Sequence, residues 1–588
     1  MDMGLRGNLA VAGALELLPP IPEVHQKTHA SYAPGTIEAC LYPLVESHDV
    51  FVIGGAFFGD EGKGKITAAI AGHPDVSLVA RVNSGANAGH TVIIDGEAHA
   101  FHLVPSAIAE QGVMCAIGPN CLMDPVAFID GELANLAGVD YHERLLVGNA
   151  HLTAPYHLLM DVMRNLRSGV TAENVTTNNA STLKGIAPTS ASKVNKTCPR
   201  MDDLDGSISG LAALLAKDSE AYRGMAQVRG YDAGKLLAIC SALNRDMRRV
   251  PDQVLEFLDA TDPVQYIVQR WQALRSNPLF PRRANVPHLL RQTLASGDKV
   301  LLEGPQSYFL SNAVAQHARS ATSADTTAAG IVAASGINLG QYRILTVNVA
   351  KAPGASRVGR GANPAGHVHQ TFYSDAGINT LNDLPQGACN DFDAIQRQYA
   401  ASVRHNGTLR QTEYTDATGT YLIGAAMAIA EAQTFGERGA TTRKPRVTGL
   451  FDCVTHAEVM RAQGPYTVIS AVDRGDAMDM VGVVIAYVYH HPDGEETSCE
   501  GQVYRNGDII RPGDPMPYET VLGSCHPIIK MVQGWKGTPI AADKWDASQG
   551  LPLGVQEFVG TIEQATGAKV MAIGNGPETD SLIYLAAK

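Results

Sequence analysis

The chain has 588 residues, 45% of them apolar, and a formal charge of −13. That length accommodates several ordinary domains or one large α/β enzyme. An acidic balance without a basic stripe excludes nucleic acid as the expected partner, so any phosphate must be held by local loops. No apolar run approaches the about 20 residues that span a bilayer, which excludes a membrane helix from the expectations.

Residues 1–48 carry Pro19, Pro20, Pro22 and Pro34 with little periodicity. They read as an N-terminal extension that drapes over the surface or is partly disordered. Its apolar start contains Asp2 and Glu16, a poor fit to a signal or transit peptide. One large domain is expected over 49–588. Nine cysteines stand at 40, 115, 121, 198, 240, 389, 453, 499 and 525, none in C-x-x-C spacing. They read as reduced thiols and a cytoplasmic setting.

Residues 50–53 are an apolar strand ended by Gly54 and Gly55, and residues 66–71 begin a helical run. Between them lies Gly59, Asp60, Glu61, Gly62, Lys63, Gly64, Lys65, with the G-x4-G-K spacing of a P-loop-like phosphate-binding turn. Glycines let backbone N–H groups approach oxygen, and the helix N-terminus adds partial positive charge. Ile66 stands where a Ser or Thr hydroxyl usually ligates magnesium, and two carboxylates sit inside the loop instead. A carboxylate beside phosphate needs a bridging metal or a role as base. A turn that only packs is the competing reading, and two lysines, three glycines and two acids in seven residues suit it poorly.

A second small, polar stretch, NSGANAGHT at 83–91, follows the apolar segment 76–82. Residues 200–298 read mostly helical, with apolar residues at helical spacing over 210–216, 252–258 and 264–274. Residues 299–302 form a short strand leading into EGPQ at 303–306, and 343–350, 466–471 and 481–489 are further strands. Strands alternating with helices predict an α/β fold with a large, mainly parallel central sheet and surrounding helices. His367 and His369 would share one face of a strand, as zinc ligands do, but no third ligand is evident. His490 and His491 precede Pro-Asp-Gly and read as a solvated turn.

GDEGKGK followed by NAGHTV resembles the adenylosuccinate synthetase family. The resemblance continues through HLVPSAI at 102–108, EGPQ, TSADTTAAG at 322–330 and GATTRKPRVTGLFD at 439–452. It implies a magnesium- and GTP-dependent ligase that makes adenylosuccinate from IMP and L-aspartate through a 6-phosphoryl intermediate, with a homodimer sharing active sites. The family pattern makes Asp60 the base and metal ligand, His90 the acid, and the Gly89 carbonyl a second metal ligand. Asn87, Ala88, Thr182, Gln306 and Thr322 would hold IMP, helped by Lys196 from the partner subunit where the family has arginine. The loop Ala440, Thr441, Thr442, Arg443, Lys444 and Arg446 would bind aspartate, although the family loop is a run of arginines. GTP would lie on residues 59–65, on Gly89, His90, Thr91 and Arg446, on Ala471, Val472 and Asp473, and on Gly574, Asn575 and Gly576. The family's guanine-reading lysine is absent, replaced by Ala471. The 200–298 region is longer than the family leads one to expect and is assigned an insertion. Two alternatives stay open: the same fold using ATP or a 2-aminopurine nucleotide, and a non-catalytic nucleotide-binding protein.

Overall fold

A computed structural model describes residues 32–87, 89–94, 97–166, 182–245, 250–406, 412–439 and 444–587. Its centre is a twelve-stranded sheet. In chain order the strands are β1 (Tyr32–Gly35), β2 (Val50–Gly55), β3 (Val76–Gly85), β4 (Met114–Met123), β5 (Leu145–Val147) and β6 (His151–Leu152). They continue as β7 (Arg282–Arg283), β8 (Lys299–Ser307), β9 (Ile344–Lys351), β10 (Tyr466–Ser470), β11 (Lys569–Gly574) and β12 (Leu582–Ala587). The spatial order is β1-β12-β11-β10-β9-β2-β8-β3-β4-β5-β7, with β6 beside β4. From β11 through β7 every pairing is parallel. β12 and β1 close one edge antiparallel. Near-continuous apolar runs such as VFVI in β2, buried throughout, suit strands covered on both faces.

β2 lies between β8 and β9, so connections leave it toward both halves of the sheet. Such a switch point leaves a crevice beyond the carboxyl ends of the strands, where open α/β sheets bind ligands. Helix α1 (Lys63–Ala71) follows β2 directly, one turn earlier than the apolar pattern alone indicates. Its N-cap is Gly62 in the left-handed region at φ 82.

Two expectations need adjustment. Residues 32–47 of the extension are built into the fold: β1 adds to the sheet edge, and short helices cover Ile37–Cys40 and Tyr42–Ser47. Pro34 fits there because an edge strand spares one row of N–H groups. The strand expected over 481–489 exists as Met480–Tyr489, but it belongs to a separate four-stranded sheet. It pairs antiparallel with Ile509–Ile510 and Cys525–Gln533 and parallel with Phe451–Asp452. The described residues of the 200–298 region are mostly helical, including Ile208–Asp218, Asp252–Asp259 and Pro263–Arg275. Its buried Leu215, Phe257 and Trp271 share a core with Phe51, Val79 and Ile117 of the sheet, so it packs as part of the same body.

Candidate active site

Five of the predicted site segments lie at the carboxyl ends of parallel strands. Residues 56–62 follow β2, 86–90 follow β3, Gln306 is the penultimate residue of β8, 471–473 follow β10 and 575–576 follow β11. The sheet therefore gathers at one edge pieces that lie up to about five hundred residues apart in sequence.

The 56–62 loop is built around Glu61. Its carboxylate is buried and accepts from Gly59 N at 2.8 Å, Phe57 N at 3.2 Å, Ser307 Oγ at 2.6 Å and Lys63 Nζ at 3.3 Å. Burial pushes the carboxyl up, but Lys63, Ser307 and the Gly59 amide together hold it below its ordinary range. Gly55 makes the room: a Cβ there would stand 2.2 Å from Ser307 Oγ and 2.7 Å from a Glu61 oxygen. Glu61 and Lys63 were expected to meet nucleotide; in the structure their side chains neutralise each other inside the loop. The loop is tied to β10 as well, through Ser470 Oγ donating to Glu61 O at 2.7 Å.

Asp60 is turned the other way, at φ 58. Its carboxylate meets Arg446 Nη2 at 3.2 Å, and the side chains are 27% and 17% exposed. The predicted base and the predicted amino-acid ligand are thus adjacent. Asp60, Lys196 and Ala471 are three of the seven described non-glycine residues in the left-handed region. Strained backbone of this kind concentrates at functional sites.

Lys65 projects from α1 to the carbonyls of Gly576 and Ser581, the latter at 3.2 Å. Burial lowers its pKa to about 8, against the pull of Asp473, Asp580 and Glu578. Of those carboxylates, Asp473 belongs to the predicted base-reading turn. Gly574 packs on Ser470 and Ala471 so closely that a Cβ would stand 3.1 Å from Ala471 N. Asp473 sits in the short helix Val472–Ala477, fixed by Trp535 Nε1 donating to Val472 O at 3.2 Å and by Asp476 accepting from Ile540 and Ala541 N at 2.9 Å. Asn575 anchors on Ile540 O at 3.0 Å.

Asn87 Nδ2 donates to Thr322 Oγ1 at 3.0 Å, which joins two predicted IMP ligands. Gln306 Oε1 is buried without a hydrogen-bond partner, as are Asn87 Oδ1 and Asn575 Oδ1. Buried acceptors left bare at a strand-end crevice are what a ligand with N–H groups would satisfy.

His90 opens a hairpin, His90–Ile94 with Glu97–Phe101, in which Thr91 is its neighbour. Its ring lies 3.1 Å from Arg81 Nη1 at Nε2, and Nε2 is 3.3 Å from Val104 O. Burial, reinforced by Arg81 and opposed by Glu303, lowers its pKa to about 4, so it is neutral near pH 7. In this arrangement Nε2 is engaged by the protein, and donating from it to a substrate requires releasing the Val104 carbonyl. Neither Arg81 nor the Val104 carbonyl was legible as a site element: a strand interior and a backbone oxygen carry no motif.

Thr182 lies just ahead of helix α2 (Ile186–Asn195), whose start packs on the end of β3, where a Cβ on Gly85 would stand 2.5 Å from Ile186. Lys196 caps the opposite end of α2, exposed and about 15 Å along the axis. Contacts thus join Asp60 to Arg446, Asn87 to Thr322 and Lys65 to Gly576, while Thr182 and Lys196 stand apart from these pairs. Ala88 and the loop Ala440, Thr441, Thr442 and Arg443 lie outside the described residues. The arms of that loop are paired, Gly439 N to Lys444 O at 2.9 Å and Arg446 N to Glu437 O at 3.0 Å. His367 and His369 do not share a strand: His367 is buried between Tyr399 Oη at 3.0 Å and Glu431 at 3.2 Å, and His369 Nδ1 meets Thr371 Oγ1 at 2.8 Å. All nine cysteines are free thiols. No helix among the described residues is long and apolar enough to cross a membrane.

The family model "Adenylosuccinate synthetase" matches residues 52–583. The adenylosuccinate synthetase of Leishmania braziliensis is 47% identical over 97% of this chain and 81% of its own. Adenylosuccinate synthetase 1 of Trypanosoma cruzi is 46% identical over 98% and 94%. The solved structure of fully ligated adenylosuccinate synthetase from Plasmodium falciparum shares the fold, with a TM-score of 0.61 over 91% of this chain and 99% of that one, at 18% identity. The chain belongs to the adenylosuccinate synthetase family, ligases that join IMP to aspartate in purine biosynthesis.

Proposed function

We propose that the chain makes adenylosuccinate from IMP and L-aspartate with GTP as phosphoryl donor, in the cytosol. The observation that carries this reading is the Asp60–Arg446 pair standing one loop away from Lys65 and its Gly576 contact. A base, an amino-acid ligand and a phosphate ligand share one crevice. A binding module would need Lys65 and the glycines but neither Asp60 nor the buried imidazole of His90.

Asp60 takes the N1 proton of IMP. The Gln306 amide, which can donate as well as accept, orients that edge of the purine. The 6-oxygen then attacks the γ-phosphorus, and GDP leaves. His90, neutral, donates its ring N–H to the 6-oxygen, releasing the Val104 carbonyl as it does so. Asn87 and Thr322 hold the IMP phosphate. The free amine of aspartate, whose carboxylate takes Arg446 from Asp60, attacks C6 and expels phosphate, which leaves with the proton the nitrogen gives up.

The residues also fit magnesium. Unlike Glu61, whose oxygens are consumed by loop donors, Asp60 is engaged by one side-chain guanidinium. Asp60 and the Gly89 carbonyl would hold the ion, with phosphate and aspartate oxygens completing its shell. When bound, magnesium offsets the charge on the transferring phosphoryl group.

The test is direct. Purified protein with IMP, aspartate and magnesium receives GTP or ATP in parallel, and succino-purine formation is followed by absorbance. Product with GTP is expected; no product with either donor overturns the reading. Ala471, in place of the family's lysine, is the departure that motivates the ATP alternative, and the parallel arm decides it.

Two predictions follow from these assignments. Lys65, with its pKa lowered to about 8, loses its charge as pH rises through that value, and donor phosphates require the charge. Binding above that pH must import a proton, so the KM for GTP should rise by up to about tenfold per pH unit from 8 upward. Lys65→Arg, which stays charged, should flatten that slope even if it binds less tightly; a slope unchanged in the variant would remove Lys65 from the phosphate site. Lys196, exposed at the end of α2, is assigned to a partner's site, so the enzyme should be a homodimer. Lys196→Ala should raise the KM for IMP more than that for aspartate. Mixing it with an Asp60→Asn protein should restore part of the activity, through hybrid sites with both residues intact. Subunit exchange without any recovery would count against a shared site.

A further inference from the structure

We propose that Glu437 is a positioning residue that holds the base-reading turn and the Arg446 arm in one register, through a buried bridge to Arg474. This rests on the roles given above to Asp473 and Arg446. The Glu437 side chain is 7% exposed and takes three donors. Oε1 accepts from Lys351 Nζ at 2.7 Å and from Ser356 Oγ at 2.9 Å, and Oε2 accepts from Arg474 Nη2 at 2.7 Å.

Arg474 follows Asp473 directly. Its Nη1 donates to Pro353 O at 3.3 Å and Gly354 O at 3.2 Å, and its guanidinium lies 4.9 Å from the centre of the Phe435 ring. Gly354 admits it: the backbone there is at φ +72, and a Cβ would stand 2.8 Å from Arg474 Nη1. The main chain of Glu437 supplies the other half of the bridge. Its carbonyl accepts from Arg446 N at 3.0 Å, and the Arg446 guanidinium rests on Asp60. One residue therefore joins the turn that faces the base to the arm that faces the reacting centre.

A spacer of equal size could be apolar. A carboxylate between two cations is costly to bury unless its geometry is used, and removing either partner strands charge. With Lys351 and Arg474 beside it, the Glu437 carboxyl stays ionised, held down to about 2 despite burial. A base seated on Asp473 that shifts Arg474 must move Glu437 or strain it, and Arg446 moves with it. Donor nucleotide and aspartate are thereby coupled, the amino-acid arm reporting whether the base site is filled.

The test uses the full-length enzyme with Arg474→Met, which leaves the Lys351–Glu437 pair in place. The KM values for GTP and for aspartate should each rise about tenfold, while that for IMP, whose ligands lie off the bridge, stays put. Arg474→Lys, keeping the charge but losing the fork, should recover part of both. Should Arg474→Met not fold, Arg474→Gln is measured in the same way. A merely structural role would lower the melting temperature and leave all three constants unchanged, and that result overturns the inference. A rise for GTP alone also overturns it, since the arm would then be independent of the turn. If the unaltered protein makes no product from IMP, aspartate and GTP, the reading of the site fails and this inference with it.

Discussion

Asp60→Asn is expected to abolish adenylosuccinate formation while leaving the fold and its melting temperature in place. The amide cannot accept the N1 proton, and it is a poor ligand for a hard dication. Proton transfer by a placed side chain alone contributes about 10²–10⁴-fold, and loss of a metal ligand adds to it. Stability should hold because the partner is Arg446 in a partly exposed pair, and such pairs contribute little. The loop itself is anchored by Glu61, which the substitution does not touch. Steady-state turnover beside a thermal melt checks both halves. Turnover within tenfold of the unaltered enzyme would sink the assignment of Asp60 as base. A collapse of the melt would show that Asp60 holds the loop together.

The loop was legible because glycines and charges at fixed spacing admit few uses. What the charges do was not. Asp60 and Glu61 are chemically alike and adjacent, yet one faces the crevice and the other is buried under Ser307, 246 positions away in the chain. Only the fold brings Ser307 there, so no local pattern distinguishes the two acids. The same holds for Lys63 and Lys65: the helix turns one toward Glu61 and the other toward Gly576. Strands were visible from apolar runs, but period-2 patterning does not say which sheet a strand joins. Met480–Tyr489 therefore read like the parallel strands of the central sheet and proved to belong to the smaller, mixed sheet. Tyr32–Gly35 was invisible for the opposite reason, being a four-residue edge strand containing a proline. Glu437 and Arg474 flank predicted segments and carry no motif of their own.

The unaltered enzyme should prefer GTP to ATP by about 10⁴-fold in kcat/KM, and Asp473→Asn should erode that preference. Asp473 stands on a turn held from three sides, by Trp535, by the amides of Ile540 and Ala541 on Asp476, and by Arg474 on Glu437. Burial pushes its carboxyl above the ordinary range, against the pull of Arg474 and Lys65. A guanine edge, with N1–H and a 2-amino group, gives such a carboxylate two donors in a charge-assisted pair. Adenine presents an unprotonated N1, whose lone pair faces the carboxylate and leaves it unsatisfied. Ala471, lacking the family's lysine, loosens cover over the ring without altering which edge groups match. An amide at 473 can donate as well as accept, so Asp473→Asn should also admit xanthosine triphosphate, whose 2-oxygen accepts where guanine donates. The check is kcat/KM for the three triphosphates on both proteins. Equal use of ATP by the unaltered enzyme would remove Asp473 from base recognition and leave the donor to be chosen elsewhere in the crevice.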